Sequence, residues 1–560
     1  MDKIKVFALG GLDENGRDCY VVEINDDIFV LDAGVSLPDK NIPGVDYLLP
    51  NASYLIENKS RIVAYIMTHG HDENMSALKY FYKSAPAPIY CTEATKYIME
   101  GQAKLQGVKT KMDFITIQPS GQTVIANHIV KFFQTMHNAP YSCGVAIETN
   151  RGNIVYTGDF IVDYDVSDPA FIFDLQALSR ISEQPTLLLL TESKKATSPG
   201  YCSPRHKIVP HIEKYFKDGN SRIFINCFWQ NISRIKEICN LTKKYRKKLF
   251  FYDDYTRKIM TAMHEAFSDL YDASLVINSE DFLRVKAKDM VILMIGKEEQ
   301  LYDEVNALAF HTNKDKRITL CDSDIFISAA VATPTLEVAA THAIDNLYRT
   351  GCEVVWIKSK DITPLHACQD DIKLFLTLLK PQYYLPVRGN FTNLMANAKL
   401  AIENGVNLNH MNVFILDNGM QLVFDGDRPK IIPNEVNKIK IDPVLVDGSG
   451  IGITADEVIE DRKKLGVDGV VVVAASVSVK EQKILAGPDC QMRGFVYVKE
   501  AEPLLKSISN IFVDEINTAF QAGRFNLEEI YQNVADRSQK FIKRENGREP
   551  YIIPIISVEE

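Results

Sequence analysis

Two histidines separated by one residue, His69 and His71, are the side chains whose types and spacing point most directly to chemistry. They follow the apolar run 61–67, which predicts a buried strand that delivers both side chains to a loop at its C-terminal end. A His-x-His pair can present two imidazoles to one zinc ion. The same pair is also typical of a helix-capping loop, in which Thr68 or Asp72 satisfies backbone N–H groups. The pair alone leaves both interpretations open.

Further polar residues stand at the ends of other strand-like runs. They are His137 after residues 130–133, Asp159 after residues 153–156 and Asp32 after residues 28–31. Agreement between several strand ends favours the metal interpretation, because open α/β folds place their sites at the C-terminal ends of strands. In order and spacing the set resembles the metallo-β-lactamase family, whose pattern is His-x-His-x-Asp-His followed by a His, an Asp and a last His. Asp32 matches that family's Asp that orients the ligands.

A closer resemblance runs from Gly10 to the C-terminus. Its motifs are Leu190–Ser193 with Glu192 as the acidic residue that opens a β-CASP insertion, Phe228–Arg234 in place of Phe-Ala-Ser-Asn-x-x-Arg, Pro364–Ala367 in place of Ser-Gly-His-Ala, Tyr384–Asn390 in place of a Pro-Val-His-Gly-Glu segment, and the C-terminal pieces Val446–Gly448, Asp461–Arg462 and Arg493–Val498. Together they resemble the ribonuclease J family, and its degenerate second paralogue more than its active first.

That resemblance implies an α/β protein: a metallo-β-lactamase αββα sandwich with an inserted β-CASP parallel α/β domain and a small C-terminal α/β domain. Breaks in composition and pattern set the expected boundaries. They are 1–208 for the first part of the lactamase-like domain, 209–349 for the β-CASP domain, 350–424 for the return to the first domain beginning with the strand 353–357, 425–443 for a linker, and 444–560 for a C-terminal oligomerisation domain.

The resemblance also implies a metal site that is only half complete. The ligands of the first metal are all present as His69, His71, His137 and Asp159. Three imidazoles and a carboxylate suit zinc, with manganese as the alternative. At the second-metal positions the chain has Glu73 for Asp, Asn74 for His and Arg388 for His. An arginine offers only donors and cannot bind a metal, so we expect no more than one ion per chain.

Arg388 is expected to take the place of the missing ion. Carboxylates brought together without a cation repel each other, and the forked guanidinium can bridge two of them. We therefore expect Arg388 to pair with Glu73, Asp159 or both. The alternative is that Arg388 points to solvent, as most arginines do.

Other residue roles are carried over from the family motifs. The resemblance implies catalytic roles for Glu73, Glu192 and His366. It implies RNA contacts by Asn231, Ser233, Arg234, His366 and Ala367. Two departures weaken the expected RNA 5′-phosphate loop: Pro364 has no N–H or hydroxyl to donate, and the side chain of Leu365 would fill the pocket.

Composition restricts the class of protein and its location. The chain has 560 residues, a net charge of −10 and ten cysteines without a Cys-x-x-Cys pair. No apolar run reaches spanning length and the N-terminus is not a signal peptide, so we expect a cytoplasmic protein with reduced cysteines and no membrane association. The negative charge argues against non-specific RNA affinity. One local basic run could still contact RNA phosphates, although a solvated helix face is the simpler interpretation. The run consists of Lys236, Lys243, Lys244, Arg246, Lys247 and Lys248.

Two functions from different classes follow from the resemblance. The first is a subunit of RNA processing and mRNA decay with an impaired two-metal site, weak or inactive alone, which assembles as a dimer or tetramer with itself or with an active ribonuclease J paralogue. The alternative is an active metal-dependent endoribonuclease or 5′-to-3′ exoribonuclease that uses one metal. A lactonase or thioesterase acting on small substrates is a distant third, because the insertion and the C-terminal extension would then have no purpose.

Overall fold

The computed structural model describes residues 1–38, 42–105, 107, 110–448, 450–451, 456–494 and 502–559. The chain divides into two compact units, one comprising Met1–Ser36 and Leu49–Pro443 and the other Leu37–Leu48 and Val444–Glu560. Within the described ranges, no helix has the length and apolar character that crossing a membrane requires.

The strands are numbered in chain order. They are β1 (Ile4–Gly10), β2 (Cys19–Ile24), β3 (Asp27–Leu31), β4 (Tyr47–Leu49), β5 (Ile62–Ile66), β6 (Ile89–Thr92), β7 (Phe114–Ile117), β8 (Gln122–Ile125), β9 (His128–Gln134), β10 (Cys143–Thr149), β11 (Gly152–Tyr156), β12 (Thr186–Glu192), β13 (Ile223–Phe228), β14 (Lys248–Phe251), β15 (Met290–Gly296), β16 (Ile325–Ser328), β17 (Glu353–Trp356), β18 (Tyr383–Val387), β19 (Gln421–Phe424), β20 (Lys430–Ile432), β21 (Val444–Asp447), β22 (Gly450–Ile451), β23 (Val470–Ser478), β24 (Lys483–Arg493) and β25 (Tyr551–Glu559).

The α-helices are numbered in the same way. They are α1 (Ser53–Glu57), α2 (Asp72–Met75), α3 (Leu78–Phe81), α4 (Glu93–Leu105), α5 (Leu175–Ser182), α6 (Val209–Asp218), α7 (Ile232–Lys244), α8 (Asp254–Ala266), α9 (Glu298–Ala309), α10 (Glu337–Arg349), α11 (Gln369–Leu379), α12 (Phe391–Asn404), α13 (Asn434–Asn437), α14 (Asp456–Asp468), α15 (Glu502–Gln521) and α16 (Leu527–Asn546). Short 3-10 turns lie at Lys59–Arg61, Ala273–Leu275, Ala287–Asp289 and Pro334–Leu336.

Two sheets packed face to face form the base of the first unit. Their strand orders are β20-β19-β1-β2-β3-β5-β6-β7 and β18-β12-β11-β10-β9-β8. Alternate side chains of both sheets meet in one apolar core. On the outer face of the second sheet, α5, α11 and α12 bury a cluster around Phe375. On the outer face of the first, Tyr54 of α1 packs on Phe7 and Phe81 of α3 packs on Tyr65. This is the predicted αββα sandwich.

The insertion in the first unit is a parallel sheet with the strand order β14-β15-β13-β16-β17. Its strands are apolar on both faces because helices cover both, with α6, α7 and α8 on one cluster and α9 and α10 on the other. The helix α7 begins at Ile232 because the side chain of Asn231 accepts a hydrogen bond from Arg234 N. The predicted parallel α/β insertion is present.

Two expectations about the chain path are wrong in detail. We expected the strand at 353–357 to return to the first domain, but β17 pairs in parallel with β16 in the inserted sheet. Right-handed crossovers place a strand beside the previous one when a single helix connects them, as α10 does here. We expected 425–443 to be a linker, but β20 pairs with β19 and extends the first sheet. β20 is the last strand at one edge of that sheet, and Lys430 and Ile431 are exposed there. The domain boundaries themselves stay predictions.

The second unit combines segments that are far apart in sequence. Its sheets have the orders β22-β21-β4 and β24-β23-β25. Amphipathic α15 and α16 cover one face of the latter sheet through Phe512, Ile516 and Val534. The segment Leu37–Leu48 joins this unit, with Asp46 N donating to Val446 O at 2.8 Å. Sequence patterns gave no sign of that connection. Residues 495–498 of the predicted C-terminal motif lie outside the described residues.

Candidate metal centre

The candidate site lies where parallel strands of both sandwich sheets end. In the first sheet β3 runs parallel to β5, and in the second β11, β12 and β18 run parallel to one another. Their C-terminal ends therefore meet at one edge of the sandwich. The residues that follow or end these strands are Asp32, His69, Asp159, Glu192 and Arg388.

The four predicted ligands of one metal lie together in the interior. His137 Nε2 is 3.2 Å from His71 Nδ1 and 3.5 Å from Asp159 Oδ2. His69 Nε2 is 3.7 Å from the same Asp159 oxygen. One ligand atom from each residue lies within 4.8 Å of the others, and all four side chains are buried. The structure thus brings together His69, His71, His137 and Asp159.

Hydrogen bonds on the outer side of each ring fix which nitrogen faces this cluster. Carbonyl oxygens only accept, so His71 Nε2 donates to Gln230 O at 3.1 Å and His137 Nδ1 donates to Leu365 O at 2.7 Å. Thr68 Oγ1 donates to Asp32 at 2.9 Å, and it therefore accepts from His69 Nδ1 at 2.9 Å. The three inward nitrogens carry lone pairs and face one another.

Such a cluster of acceptors fits a cation. His69 Nε2 and Asp159 Oδ1 are buried and have no hydrogen-bond donor among the described residues. Burial lowers the pKa of His69 and His137 well below the usual value and also lowers the pKa of His71. Neutral imidazoles are the form that binds metals. The donor set of three imidazoles and one carboxylate suits zinc.

Asp32 supports this arrangement without touching an imidazole. Its carboxylate accepts from Thr68 N at 2.8 Å, Asn74 Nδ2 at 3.0 Å and Tyr156 Oη at 2.9 Å. Asp32 also has a left-handed backbone conformation with φ of 60°. The hydroxyl of Thr68 connects Asp32 to the His69 ring.

Arg388 is buried with 1% of its surface exposed, and it lies among carboxylates. Its Nη2 is 2.8 Å from Asp159 Oδ2 and 3.3 Å from Glu73 Oε1. Its Nη1 donates to Asn74 Oδ1 at 3.0 Å and to the carboxylate of Asp18. The predicted pairing of Arg388 with Glu73 and Asp159 is confirmed.

The other two altered positions are tied to the same arginine. Asn74 uses its amide oxygen for Arg388 and its amide nitrogen for Asp32, so both ends are occupied. Burial by itself would raise the pKa of Glu73, but His71 and Arg388 lower it to about 2. Glu73 is therefore ionised in this environment and is a poor proton acceptor near neutral pH.

Glu192 and His366 form a second buried pair beside Asp159. His366 Nδ1 is 2.7 Å from Glu192 Oε2, and Glu192 Oε1 accepts from Phe160 N at 2.9 Å and Ala367 N at 3.1 Å. His366 Nδ1 is 3.8 Å from Asp159 Oδ2. Burial raises the pKa of Glu192 to about 7.

The predicted RNA-binding residues of the insertion are engaged in structural contacts. Asn231 caps α7, and Ser233 N donates to Asn138 O at 3.1 Å. Arg234 is buried and its Nη1 donates to Ala329 O at 2.8 Å. Ala367 is fully buried. Their RNA contacts stay predictions.

The basic run of the insertion is largely neutralised. Lys236 is buried and lies 2.6 Å from both Asp168 and Asp269. Lys244 pairs with Glu213 at 2.5 Å. Lys247 is buried and donates to a backbone carbonyl. Lys243, Lys244 and Arg246 are exposed whereas Lys236 and Lys247 are buried, so the run is not a continuous phosphate-binding patch.

Three functional groups were not identified from the sequence. They are the carboxylate of Asp18, the carbonyl of Gln230 and the carbonyl of Leu365. The only sequence signal for Asp18 is an acidic residue directly before the apolar strand β2. Backbone carbonyls carry no side-chain signal.

Comparisons with known proteins decide the family. Family models match at residues 12–197 (metallo-beta-lactamase superfamily), 220–347 (Ribonuclease J, beta-CASP domain) and 457–558 (Ribonuclease J C-terminal domain). Proteins named "Ribonuclease J 2" from Staphylococcus epidermidis and Staphylococcus aureus are each 30% identical over 555 residues, covering 99% of this chain and 98% of the relative. The chain belongs to the ribonuclease J family.

A solved structure supports the fold of this ribonuclease J family member. It is described as a protein of unknown function from Enterococcus faecalis V583, with a TM-score of 0.50 and 16% identity. The alignment covers 75% of this chain and 100% of that one.

We predict that the chain binds one metal ion and no second. Loading with zinc or manganese, followed by dialysis and elemental analysis, should give no more than one ion per chain. His71→Ala should lower the occupancy because it removes an inward lone pair. His128→Ala is the matched control, since His128 pairs with Asp27 away from the cluster. Two tightly bound ions in the unmodified chain would contradict the prediction.

We also predict that Arg388→Ala destabilises the fold by about 3–5 kcal/mol, because it leaves the buried Asp18 and Asp159 carboxylates without their cation. Chemical denaturation followed by circular dichroism measures the change. Arg317→Ala is the control: its pair with Asp315 is partly exposed to solvent, so its loss should destabilise the fold much less. Equal losses for both variants would show that Arg388 is not an internal counter-ion.

Proposed function

We propose that this chain is an RNA-processing and mRNA-decay protein of the ribonuclease J type whose metal centre is impaired and whose nuclease activity alone is weak or absent. The observation that carries the proposal is the Arg388 guanidinium lying among Asp159, Glu73 and Asn74, the residues at the second-metal positions. A cation held there by the chain removes the reason for a second ion to bind.

One metal would be held by His69, His71, His137 and Asp159. Bound there, a zinc ion supplies Lewis-acid activation of water or of a phosphoryl oxygen. The chain's own residues do the rest: Gln230 O and Leu365 O hold the rings in place, and Asp32 fixes the loop through Thr68.

Arg388 is a poor substitute for an ion in phosphodiester cleavage. An in-line displacement needs charge stabilisation at both the attacking and the leaving oxygen. The Nη1 and Nη2 donors of Arg388 already contact Asp159, Asp18, Glu73 and Asn74, so they are not free for a phosphate. Nε is buried and has no hydrogen-bond partner among the described residues. Loss of even one preorganised electrostatic group typically lowers the rate by about 10²–10³.

RNA is the proposed ligand, and the substrate side is altered as well. Ala367, Asn231, Ser233 and Arg234 are the proposed RNA-binding residues alongside His366. Pro364 has no donor for a phosphate, and the Leu365 side chain is buried against Met136 and Cys368. An RNA 5′-phosphate would therefore meet fewer donors in this loop than the family motif provides.

A specific observation favours the alternative of an active single-metal nuclease. His366 Nδ1 lies 2.7 Å from Glu192 and 3.8 Å from Asp159. A histidine held by a carboxylate is suited to proton transfer to a leaving oxygen. In this alternative Glu192 and His366 are catalytic, Glu73 is the remaining acidic residue of the motif, and cleavage is endonucleolytic or 5′-to-3′ exonucleolytic.

The proposed partners are further copies of this chain or an active ribonuclease J paralogue in the cytoplasm. The second unit offers a surface for assembly. Tyr551, Ile553 and Ile555 are exposed on the face of β25 opposite its helices, and they lie beside Val470, Val472 and Ala474 of β23. An exposed apolar sheet face of this kind is typical of a protein interface.

The nuclease assay tests the central proposal. On 5′-monophosphorylated RNA, the chain alone should be at least about 10²-fold slower than an active ribonuclease J. Arg388→His alone should not restore a second metal, because Asn74 still lacks an imidazole. The triple variant Glu73→Asp, Asn74→His, Arg388→His should bind more metal and cleave faster. Robust cleavage by the unmodified chain that His71→Ala abolishes would favour the alternative.

The assembly proposal has its own test. Ile553→Glu with Ile555→Glu should shift the chain to a monomer in size-exclusion chromatography with light scattering, because charges oppose burial of that face. Removal of residues 444–560 should have the same effect. Val124→Glu on β8 is the control, since Val124 is exposed but belongs to the first unit. An unchanged oligomer in the double variant would place the interface elsewhere.

A further inference from the structure

An open cavity of about 840 Å³ lies in the insertion, beside the C-terminal end of β14. Its walls come from the segments 250–257 and 278–280 and from the region of Glu304 and Asp315. A volume of roughly 300–1,000 Å³ is typical of sites that bind small molecules. None of the residues that line the cavity belongs to the metal centre or to the RNA-binding set proposed above.

The cavity carries an excess of negative charge. Five carboxylates line it against two cationic groups. One of these carboxylates, that of Asp315, is already paired with Arg317 at 2.6 Å. Among the described residues, the side chains of Asp254, Glu280 and Glu304 take part in no hydrogen bond or ion pair. The cavity therefore attracts a cationic ligand.

The spacing of the carboxylates suits an extended cation rather than a metal ion. A metal ion needs several ligand atoms that converge on one point. In the described part of the chain, no three acidic side chains of the cavity lie close enough to hold one ion, unlike the side chains of the metal centre. A flexible chain of ammonium groups can instead meet separate carboxylates one at a time.

Glu304 is the carboxylate with the strongest need for a cation. It is partly buried in the cavity wall. Burial raises the pKa of Glu304, and the charge of Asp253 raises it further, although Lys314 lowers it. An ammonium group beside Glu304 would offset this repulsion, because a buried carboxylate is stabilised by an opposite charge.

One buried hydroxyl of the cavity lacks a partner. Tyr252 lines the cavity with 6% of its surface exposed, and its Oη has no hydrogen-bond partner among the described residues. Buried tyrosine hydroxyls usually have one. Burial raises the pKa of Tyr252, as do the charges of Glu304, Asp253 and Asp315, so the phenol stays protonated. A protonated phenol can accept a hydrogen bond from an ammonium N–H.

An aromatic ring at the cavity surface favours the same kind of ligand. Tyr255 lines the cavity and is 40% exposed. Ammonium groups and the methylenes next to them pack favourably on the face of such a ring. Carboxylates, an unpaired hydroxyl and an aromatic ring thus line one accessible cavity.

We propose that this cavity binds a linear aliphatic polyamine, with ammonium groups on Glu304, Asp254 and Glu280, an N–H directed at Tyr252 Oη and methylenes against Tyr255. The site is separate from the metal centre and does not depend on the function proposed above.

Isothermal titration calorimetry of the full chain with spermidine, at physiological ionic strength, tests the proposal. We expect saturable binding of one spermidine per chain. The double variant Glu304→Gln, Asp254→Asn should weaken it by roughly 10-fold or more, as for loss of hydrogen bonds to a charged group. Tyr252→Phe should also weaken it, and this variant removes a hydroxyl that has no partner within the chain. The measurement involves neither RNA nor metal, so failure of the nuclease proposal and failure of this site are distinguishable.

Controls separate the cavity from diffuse attraction, since the chain has a net charge of −10. The matched control is Glu337→Gln with Glu353→Gln, which removes two exposed charges of the insertion outside the cavity. It should leave spermidine affinity unchanged. Equal weakening in the control, or no saturable binding by the unmodified chain, would overturn the proposal. Magnesium that displaces spermidine at equal concentration would overturn it in favour of an inorganic cation. Tighter binding of pentalysine with the same sensitivity to Glu304→Gln, Asp254→Asn would overturn it in favour of a peptide.

Discussion

The rest of this site depends on one buried cation, the guanidinium of Arg388. Asp18, Asp159 and Asn74 converge on it from three different parts of the chain, and the two carboxylates are almost completely buried. Without a positive charge they would repel each other in a medium of low polarity, at a cost of several kcal/mol per unpaired ion. A second metal ion would meet the same electrostatic need, but its occupancy would vary with metal supply. A covalently attached guanidinium is always present and always charged. The chain therefore keeps these carboxylates folded in place with a cation of its own.

The metal centre is assembled from segments that fold in different layers. His69 and His71 come from the first sheet and Asp159 from the second, while Gln230 O comes from the inserted domain and Leu365 O from the chain after it. Each carbonyl fixes the tautomer of one imidazole, and an imidazole binds a metal only through its unprotonated nitrogen. The geometry of the centre is thus linked to how the insertion lies on the sandwich. This link gives the insertion a structural role at the site whether or not the chain cleaves RNA.

Sequence reasoning placed His69, His137 and Asp159 after strand ends by a local rule, and it inferred the pairing of Arg388 from the family resemblance together with the electrostatics of buried carboxylates. A buried strand delivers the next residues to a sheet edge, and an arginine at a position surrounded by carboxylates must be paired. It failed where long-range packing decides the outcome. The strand Glu353–Trp356 has the same apolar pattern whichever sheet it joins, so only the crossover after α10 assigns it. Leu37–Leu48 joins Val444–Glu560 through backbone hydrogen bonds that leave no pattern in the side chains.

The side chains of Glu73, Asn74 and Arg388 depend on one another, and the contacts of Asn74 show why. An amide has a donor and an acceptor, and here the donor faces Asp32 while the acceptor faces Arg388. An imidazole has one of each only in its neutral form, and beside a guanidinium it would have to turn its lone pair toward Arg388. Glu73 is ionised by the same arginine and completes the charge balance. Changing any one of the three back toward a metal ligand leaves a mismatch with the other two. Under the function proposed above, a return to two-metal chemistry therefore requires a concerted change. Asp159, which contacts both Arg388 and His69, links these positions to the cluster of imidazoles.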